Sequence, residues 1–200
     1  MNDVGTTRTA DPEAVAGLIM AGGESRRFGR DKARHPVAGR PMIVRVYSAL
    51  AAVATPVMVS VGAGTASYAD VLPGDVPHVR DRHADAGPLA GLDAGLRVLR
   101  SRWVLVAACD MPHVTPDGFR ALLRFRDEQV DAIVGRTDDD RLHPLFACYR
   151  RERALAAARA CLAAKEGALH ALLDRLAVRD VAVPARLVHN VNRPKDLGGS

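Results

Sequence analysis

Two glycines and several cations follow the first strongly apolar segment of the chain. Gly22 and Gly23 come directly after it, and Arg26 and Lys32 stand further on. Glycines let the backbone turn sharply and bring its N–H groups close to an anion, because no Cβ intervenes. Only three of the 28 basic residues are lysines, and the ammonium of Lys32 can follow a phosphate as its geometry changes. The spacing therefore predicts a phosphate-binding loop over 22–32, in preference to a solvated basic surface loop.

Two other types of nucleotide-binding loop do not fit the sequence. A Walker A loop ends on Gly-Lys-Ser/Thr, whereas Gly29 is followed by Arg-Asp-Lys-Ala, which offers no hydroxyl for magnesium. Gly62 and Gly64 imitate a dinucleotide fingerprint, but its third glycine is missing and the following segment is too short and too proline-rich for the required helix. A P-loop NTPase and a dehydrogenase are both disfavoured.

Carboxylates follow other apolar segments. Asp110 comes directly after the apolar run 103–109, and magnesium in proteins prefers one or two carboxylates together with phosphate oxygens and water. Asp110 is therefore the predicted metal ligand, and its alternative role is to cap a turn or the next helix. Asp81 follows a shorter apolar run, where it is predicted to assist the metal, to contact a nucleotide or simply to form a turn.

Three further segments hold weaker candidates. The small residues of 87–91 allow a base or ribose to approach a helix N-terminus, or merely start that helix. His143 precedes a proline, and Asn190 and Asn192 flank a valine. Each of these polar residues alone is more typical of turn chemistry than of a site, and His143 as a catalytic base is the weakest of these hypotheses.

Apolar runs alternate with helical periodicities, which predicts one doubly wound, mostly parallel α/β sheet over residues 15–200, after a flexible tail at 1–14. In such a sheet, ligands bind at the carboxyl ends of the strands near a topological switch point. The predicted strands are Val15 to Ala21, Pro56 to Val61, Val76 to Arg80, Trp103 to Cys109, Ala132 to Gly135, Leu145 to Tyr149 and Asp180 to Val183. The predicted helices start at Pro41, Pro88, Pro116 (through about Glu128), Arg151 (to Lys165) and Ala168 (to Leu176).

Composition limits the class of protein. Hydrophobic residues make up 48% and charged residues 26%, which is typical of a globular protein and not of a disordered one. Aromatic residues are only 4%, so nucleic acid is not the expected partner, although 28 basic against 23 acidic residues favour an anion such as a nucleotide. No segment approaches the ~20 apolar residues of a membrane span. Three scattered cysteines suggest neither disulfides nor zinc and predict a cytoplasmic protein.

Taken in order, these segments resemble one known family. Residues 20–32 resemble the signature loop of the MobA-like nucleotidyltransferases. The segments that narrow the resemblance to the molybdenum cofactor guanylyltransferases are 87–91, 109–112, 143–144 and 190–194. The resemblance covers about 16–197, and it departs from the family at Ser60, where the family often has Asn.

The resemblance implies a fold, a reaction and a site. The implied fold is a three-layer α/β/α sheet of the nucleotide-diphospho-sugar transferase type. The implied reaction transfers GMP from Mg-GTP to the phosphate of molybdenum-bound molybdopterin, giving the guanine dinucleotide cofactor and pyrophosphate, with Mg²⁺ on Asp110. The resemblance also implies molybdoenzymes or their chaperones as partners. It implies no membrane and no nucleic acid as a partner. The implied GTP contacts are Met20, Ala21, Gly22, Gly23, Lys32, Ser60, Asp81 and Asp110. The implied catalytic residues are Lys32, Asp110 and Arg26. The implied contacts on the molybdopterin side are His143, Asn190 and Asn192.

Other functions stay open at this point. A molybdopterin cytidylyltransferase would share the first loop but differ around 87–91 and 109–112. A sugar-phosphate nucleotidyltransferase is a more distant alternative, since such enzymes are commonly longer. A nucleotide-binding regulator without turnover would keep the glycine loop and tolerate loss of Asp110.

Overall fold

The chain forms one mixed sheet flanked by helices, as seen in a computed structural model that describes residues 14–22, 31–63, 66–81 and 87–191. The strands are β1 (Val15–Met20), β2 (Pro36–Val37), β3 (Arg40–Pro41), β4 (Val57–Ser60), β5 (His78–Val79), β6 (Trp103–Ala108), β7 (Ala132–Arg136), β8 (Leu142–Arg150) and β9 (Val178–Ala182). The α-helices are α1 (Met42–Ala51), α2 (Gly87–Val98), α3 (Pro116–Leu123), α4 (Arg151–Ala163) and α5 (Leu169–Leu173), and short 3₁₀ helices span Lys32–Arg34 and Ala185–Val188.

Strand order places the switch point beside the first strand. The seven-stranded sheet has the order β5-β4-β1-β6-β8-β7-β9, and β5, β4, β1 and β6 are all parallel. The chain leaves β1 for β4 and β5 on one side and then crosses to β6 on the other. The loops after β1 and β6 therefore diverge at one sheet edge, where a crevice for ligands is expected. Only β8 runs against its neighbours in this sheet, so the predicted mostly parallel architecture is confirmed.

Two hydrophobic layers cover the sheet. Along β1, Ile19 faces a cluster that contains α1 and α3, while Leu18 faces a second cluster that contains α2, α4 and α5. Every residue of β6 is buried, as its continuous apolar sequence predicts for a strand covered on both faces. The fold is thus a three-layer α/β/α arrangement.

The predicted elements are confirmed in type, but several differ in extent. Helix α3 begins as predicted, with the Thr115 hydroxyl accepting a hydrogen bond from Gly118 N at 3.1 Å. It ends at Leu123 and not near Glu128, because the Asp127 carboxylate accepts hydrogen bonds from Gln129 N and Val130 N and forms a turn there. Strand β5 is shorter than predicted, α5 ends at Leu173, and β8 starts earlier than predicted because it forms a hairpin with β7.

A small hairpin lies outside the sequence-based prediction. Strands β2 and β3 pair in antiparallel fashion around Ala38 and Gly39, which have φ angles of 47° and 76°. Two consecutive residues with positive φ form the kind of tight turn that matches the twist of a two-stranded hairpin. The hairpin connects the 3₁₀ helix that carries Lys32 to the start of α1.

Close packing of α2 against β1 gives a test of the fold. A Cβ at Gly95 would lie 2.5 Å from both δ-carbons of the buried Leu18. Gly95→Ala should therefore lower the free energy of unfolding by about 1–3 kcal/mol, despite the better helix propensity of alanine. Urea denaturation measures this. Gly74→Ala is the matched control, because a Cβ at Gly74 meets nothing within 4 Å; equal stability of the two variants would contradict the packing.

Candidate active site

Four parallel strands end at the same edge of the sheet. Backbone hydrogen bonds continue past their ends: Ala21 N donates to Ser60 O at 2.8 Å, Asp81 N to Gly62 O at 3.0 Å and Cys109 N to Met20 O at 3.0 Å. The polar residues predicted to act together therefore follow neighbouring strands and are held by the sheet ladder itself. This edge lies at the switch point and forms the candidate active site.

Lys32 and Asp110 meet across the switch point. The Nζ of Lys32 lies 2.6 Å from Asp110 Oδ2, although the two residues are 78 positions apart in sequence. Each side chain is only 16% exposed. At such range, with an effective dielectric constant of ~20, two opposite charges attract by about 4 kcal/mol or more before desolvation is subtracted. The structure therefore brings together the predicted cation and the predicted acid.

Lys32 stands on a turn that is fixed by its neighbours. The Asp31 carboxylate caps the 3₁₀ helix Lys32–Arg34 and accepts a hydrogen bond from Ala33 N at 3.1 Å. Ala33 is buried in the core. The buried methyl group and the cap fix the backbone of Lys32, so its side chain leaves the turn in a defined direction.

Arg34 ties this turn to a distant segment. Its guanidinium donates two hydrogen bonds to the Asp70 carboxylate and one to Ser67 O at 2.6 Å. It also lies over the Tyr68 ring, 5.4 Å from the centroid, and the Tyr68 hydroxyl lies 3.4 Å from Asp31 Oδ1. These contacts connect residues 67–70 to the Lys32 turn. They had no recognisable signal in the sequence.

One oxygen of Asp110 is suited to a metal. Oδ2 accepts the Lys32 hydrogen bond, whereas Oδ1 is buried and has no hydrogen-bond partner among the described residues. A buried carboxylate oxygen without a partner is costly, and a cation would satisfy it. Within the described ranges no three His, Cys, Asp or Glu side chains are grouped closely enough to hold a metal ion. Asp110 therefore fits a magnesium bound mainly by phosphate oxygens and water, not one held in a protein cage.

Gly22 lies against the backbone of the neighbouring loop. A Cβ at this position would lie 2.8 Å from both the Cα and the N of Gly62. Only glycine allows the chain after β1 to pass so close to the chain after β4. Met20 and Ala21 lead into this approach, with Met20 largely buried and Ala21 partly exposed. The predicted contact residues Met20, Ala21 and Gly22 thus lie at the sheet edge that forms the candidate active site.

Ser60 and Asp81 form a pair beside this approach. The Ser60 hydroxyl donates to Asp81 Oδ1 at 3.2 Å, and Ser60 itself is buried. Burial raises the pKa of the Asp81 carboxyl, and the hydrogen bond from Ser60 offsets part of that effect. A Cβ at Gly91 would lie 2.6 Å from Ser60 Oγ and 3.3 Å from Asp81 Oδ1. Only a residue without a Cβ therefore fits beside the Ser60 and Asp81 side chains. The predicted approach of a base or ribose to the helix N-terminus stays a prediction.

Gly87 has a separate reason to be glycine. Its φ is 64°, in the left-handed region that side chains rarely adopt, and it begins α2. The interpretation of 87–91 as the start of a helix is confirmed.

His143 lies at the same edge, on the far side of β6. Its Nε2 is 3.0 Å from the Thr137 hydroxyl, which donates to Asp139 Oδ1 at 2.5 Å. Burial and the nearby charge of Arg141 lower the pKa of His143, so its imidazole is neutral at pH 7. The sequence interpretation did not include the buried Thr137. A hydroxyl just before a run of three aspartates was its only signal.

Asn190 is adjacent to the Asp110 loop. Val191 N donates to Asp110 O at 2.9 Å, which brings the end of the described chain to the switch point. The Oδ1 of Asn190 is buried and lacks a hydrogen-bond partner among the described residues. The predicted residues Gly23, Arg26 and Asn192, and the predicted tail up to residue 13, lie outside the residues that the structure describes.

Comparison with known proteins shows the family of this chain. The MobA-like NTP transferase domain model matches residues 17–181. This chain belongs to the MobA-like NTP transferase family. It is 36% identical over 199 residues to a protein of Opitutus terrae named "Probable molybdenum cofactor guanylyltransferase", covering 94% of this chain and 95% of that one. It is also 36% identical to the "Molybdenum cofactor guanylyltransferase" of Pseudomonas putida, over 90% and 94% of the two chains. The chain is accordingly a nucleotidyltransferase.

A solved structure shows the same fold. The molybdopterin-guanine dinucleotide biosynthesis protein A of Archaeoglobus fulgidus superposes with a TM-score of 0.72 and 24% identity, over 91% of this chain and 94% of that one. The family fold is thus the nucleotide-diphospho-sugar transferase type, as the resemblance implies. Among the described helices, none has the length and apolar character needed to cross a bilayer.

The partly buried carboxyl of Asp81 gives a pH-dependent prediction. Its raised pKa means that the folded state favours the protonated form, so its contribution to stability is greatest below the unfolded value of ~3.9 and is lost as pH rises through the folded value. Asp81→Asn should therefore gain stability relative to the parent protein between pH 4 and pH 7. Urea denaturation at both pH values measures the difference, and a difference independent of pH would contradict the assignment.

Proposed function

We propose that this protein transfers GMP from GTP to the phosphate of molybdenum-bound molybdopterin, releasing pyrophosphate. The observation that carries the proposal is the contact of Lys32 with Asp110 at the switch point, 2.6 Å between Nζ and Oδ2. It is supported by membership of the family and by two 36% identical relatives named for this activity. The same evidence supports a nucleotide and a molybdopterin as the two substrates.

The chemistry is a displacement at the α-phosphorus. An oxygen of the acceptor phosphate forms the new bond, and the bond to the bridging oxygen of the β-phosphate breaks, so that pyrophosphate leaves with the electron pair. The acceptor is already ionised, and no strong general base is needed. Catalysis then depends mainly on alignment and on neutralising charge.

Lys32 and the glycine loop would hold the triphosphate. The ammonium of Lys32 neutralises charge that grows as pyrophosphate leaves, and it is a mobile point donor that can follow this change. The backbone after β1, which passes Gly62 closely at Gly22, presents N–H groups to the phosphates. Arg26 in the same loop is the further proposed cation.

Asp110 would hold Mg²⁺ through Oδ1, the carboxylate oxygen that accepts no hydrogen bond from Lys32 or from any other described residue. When bound, the ion supplies Lewis-acid polarisation of phosphate oxygens. Asp110 also holds the Lys32 side chain in place at the switch point, since the Lys32 ammonium donates a hydrogen bond to it.

Nucleoside and pterin contacts are assigned to the flanking residues. Ser60 and Asp81, next to the glycine loop, are proposed to contact the nucleoside of GTP. Asn190, with its unsatisfied oxygen, and His143, with a neutral ring, are proposed for the molybdopterin side, together with Asn192. A molybdopterin cytidylyltransferase remains the second candidate, because the choice of base depends on the Ser60 and Asp81 contacts.

Turnover of two variants tests the proposal. Pyrophosphate release from GTP with molybdenum-bound molybdopterin should fall by at least about 100-fold in Asp110→Asn and in Lys32→Ala, because each removes preorganised charge stabilisation. Both variants should keep the cooperative urea unfolding transition of the parent protein, so that the loss of turnover reports on the site and not on the fold. The same assay with CTP in place of GTP shows which nucleotide the enzyme uses.

Asp117→Asn is the matched control. It removes a carboxylate that pairs with Arg120 on an exposed part of α3, 2.7 Å away, and should leave turnover unchanged. Near-normal turnover in Asp110→Asn would refute the proposed role of Asp110, and turnover with CTP but not GTP would refute the proposed guanylyl transfer.

A further inference from the structure

A second cationic cavity lies away from the candidate active site. It has a volume of about 640 Å³ and opens to solvent. Its lining residues are Arg100, Arg102, Arg150, Arg151, Glu152, Arg153 and Ala156, and they define what we call the arginine cleft. Five arginines and one glutamate give it a formal charge of +4, and its volume is within the range of small-molecule sites.

The arginine cleft is at the opposite end of the sheet from Lys32. Arg102 directly precedes β6, and Arg150, at the end of β8, is the register partner of Trp103. Asp110 follows the other end of β6, eight residues from Arg102, which corresponds to roughly 25 Å along an extended strand. A ligand in the cleft would therefore not touch the Lys32–Asp110 pair.

Two guanidinium groups of this cleft keep one donor without an acceptor, although Arg150 also donates through Nη2 to Asp127 O. The Nε atoms of Arg150 and Arg151 are buried and have no hydrogen-bond partner among the described residues. The nearest carboxylate oxygen to Arg150 Nε, on Asp131, is 3.9 Å away and too far to accept a hydrogen bond. Arg151 has only the exposed carboxylate of Glu152, at 2.9 Å. A buried donor left without an acceptor costs free energy that an anion would recover.

The other charges at this end leave an excess of cations. Glu128 pairs with Arg102 and Arg150, and among the described residues Arg153 forms an ion pair only with Asp131, at 3.8 Å. Arg100 makes no ion pair with any residue that the structure describes. Glu128 is therefore shared by Arg102 and Arg150, while Arg100 has no carboxylate partner among the described residues and Arg151 has only the exposed Glu152.

We propose that the arginine cleft is a second anion-binding site, for a ligand that carries two or more phosphate groups. Arginine forks bind phosphate oxygens in pairs, and several forks around one concave surface favour a compact, multiply charged anion over a single carboxylate. The source of the phosphates is either a free oligophosphate or the phosphate chain of a nucleotide. The site is independent of the proposed transfer reaction, because it shares no residue with it.

The only tryptophan of the chain reports on this cleft. Trp103 is buried under the Arg150 guanidinium, which lies 5.3 Å from its ring centroid. We would titrate the full chain with tripolyphosphate in metal-free buffer and follow tryptophan fluorescence and calorimetric heat. The Lys32→Ala background weakens the proposed triphosphate grip of the active site, and the double variants described next assign the binding that persists in it.

Matched double variants locate the binding. Arg100→Gln with Arg151→Gln should weaken tripolyphosphate binding by about tenfold or more, as expected for the loss of charge-assisted hydrogen bonds. Arg120→Gln with Arg186→Gln removes the same charge from exposed positions elsewhere and should leave the affinity within about twofold. Arg100→Gln alone, on an exposed residue, gives the same test if the double variant does not fold.

The outcomes separate the sources of the ligand. The comparison is made on the binding that the Arg100/Arg151 double variant weakens in the Lys32→Ala background. For that binding, equal affinity for GTP and tripolyphosphate assigns the site to a free oligophosphate, and tighter binding of GTP assigns it to a nucleotide; both support the proposal. Absence of saturation below about 10 mM, equal weakening in both double variants, or tighter binding of a hexaglutamate peptide would overturn it.

Discussion

The contact between Lys32 and Asp110 is the interaction on which the rest of the site depends. It joins two loops that are 78 residues apart, and it is possible only because β1 and β6 are neighbouring parallel strands with Met20 opposite Ala108. Two partly buried charges repay their desolvation only when their geometry is fixed. The sheet ladder, the capped turn at Lys32 and the bond from Val191 to Asp110 O supply that rigidity.

Two glycines are as important for the site as the charged residues are, because they have no side chain. Gly22 passes so close to Gly62 that no Cβ fits between them. Gly91 likewise lies so close to the Ser60 and Asp81 side chains that a Cβ there would clash. Loops and a helix can therefore converge on one edge of the sheet without separating its strands. A Cβ at either glycine would move polar groups by a few tenths of an ångström or more, in a site where alignment carries much of the proposed catalysis.

The sequence predicts the Lys32–Asp110 pair better than it predicts the contacts that hold this pair in place. Lys32 and Asp110 are predictable because each follows an apolar run, and parallel strands share an edge for their carboxyl ends. The contact of Arg34 with Asp70 is not predictable from the sequence, since it joins irregular segments that have no periodicity. The packing of Gly91 is not predictable for a similar reason: the sequence shows that the residue is small, but not which face of α2 it lies on or which side chains lie against it. Thr137 gains its partner only through the β7–β8 hairpin.

A double-mutant cycle in Mg-GTP affinity tests the central claim most directly. Calorimetry of the parent protein, Lys32→Ala, Asp110→Asn and the double variant gives the four binding free energies. If both side chains grip one triphosphate, each single variant binds more weakly and the two losses deviate from additivity by about 1 kcal/mol or more. Unchanged affinity in either single variant, or two strictly additive losses, would contradict the account.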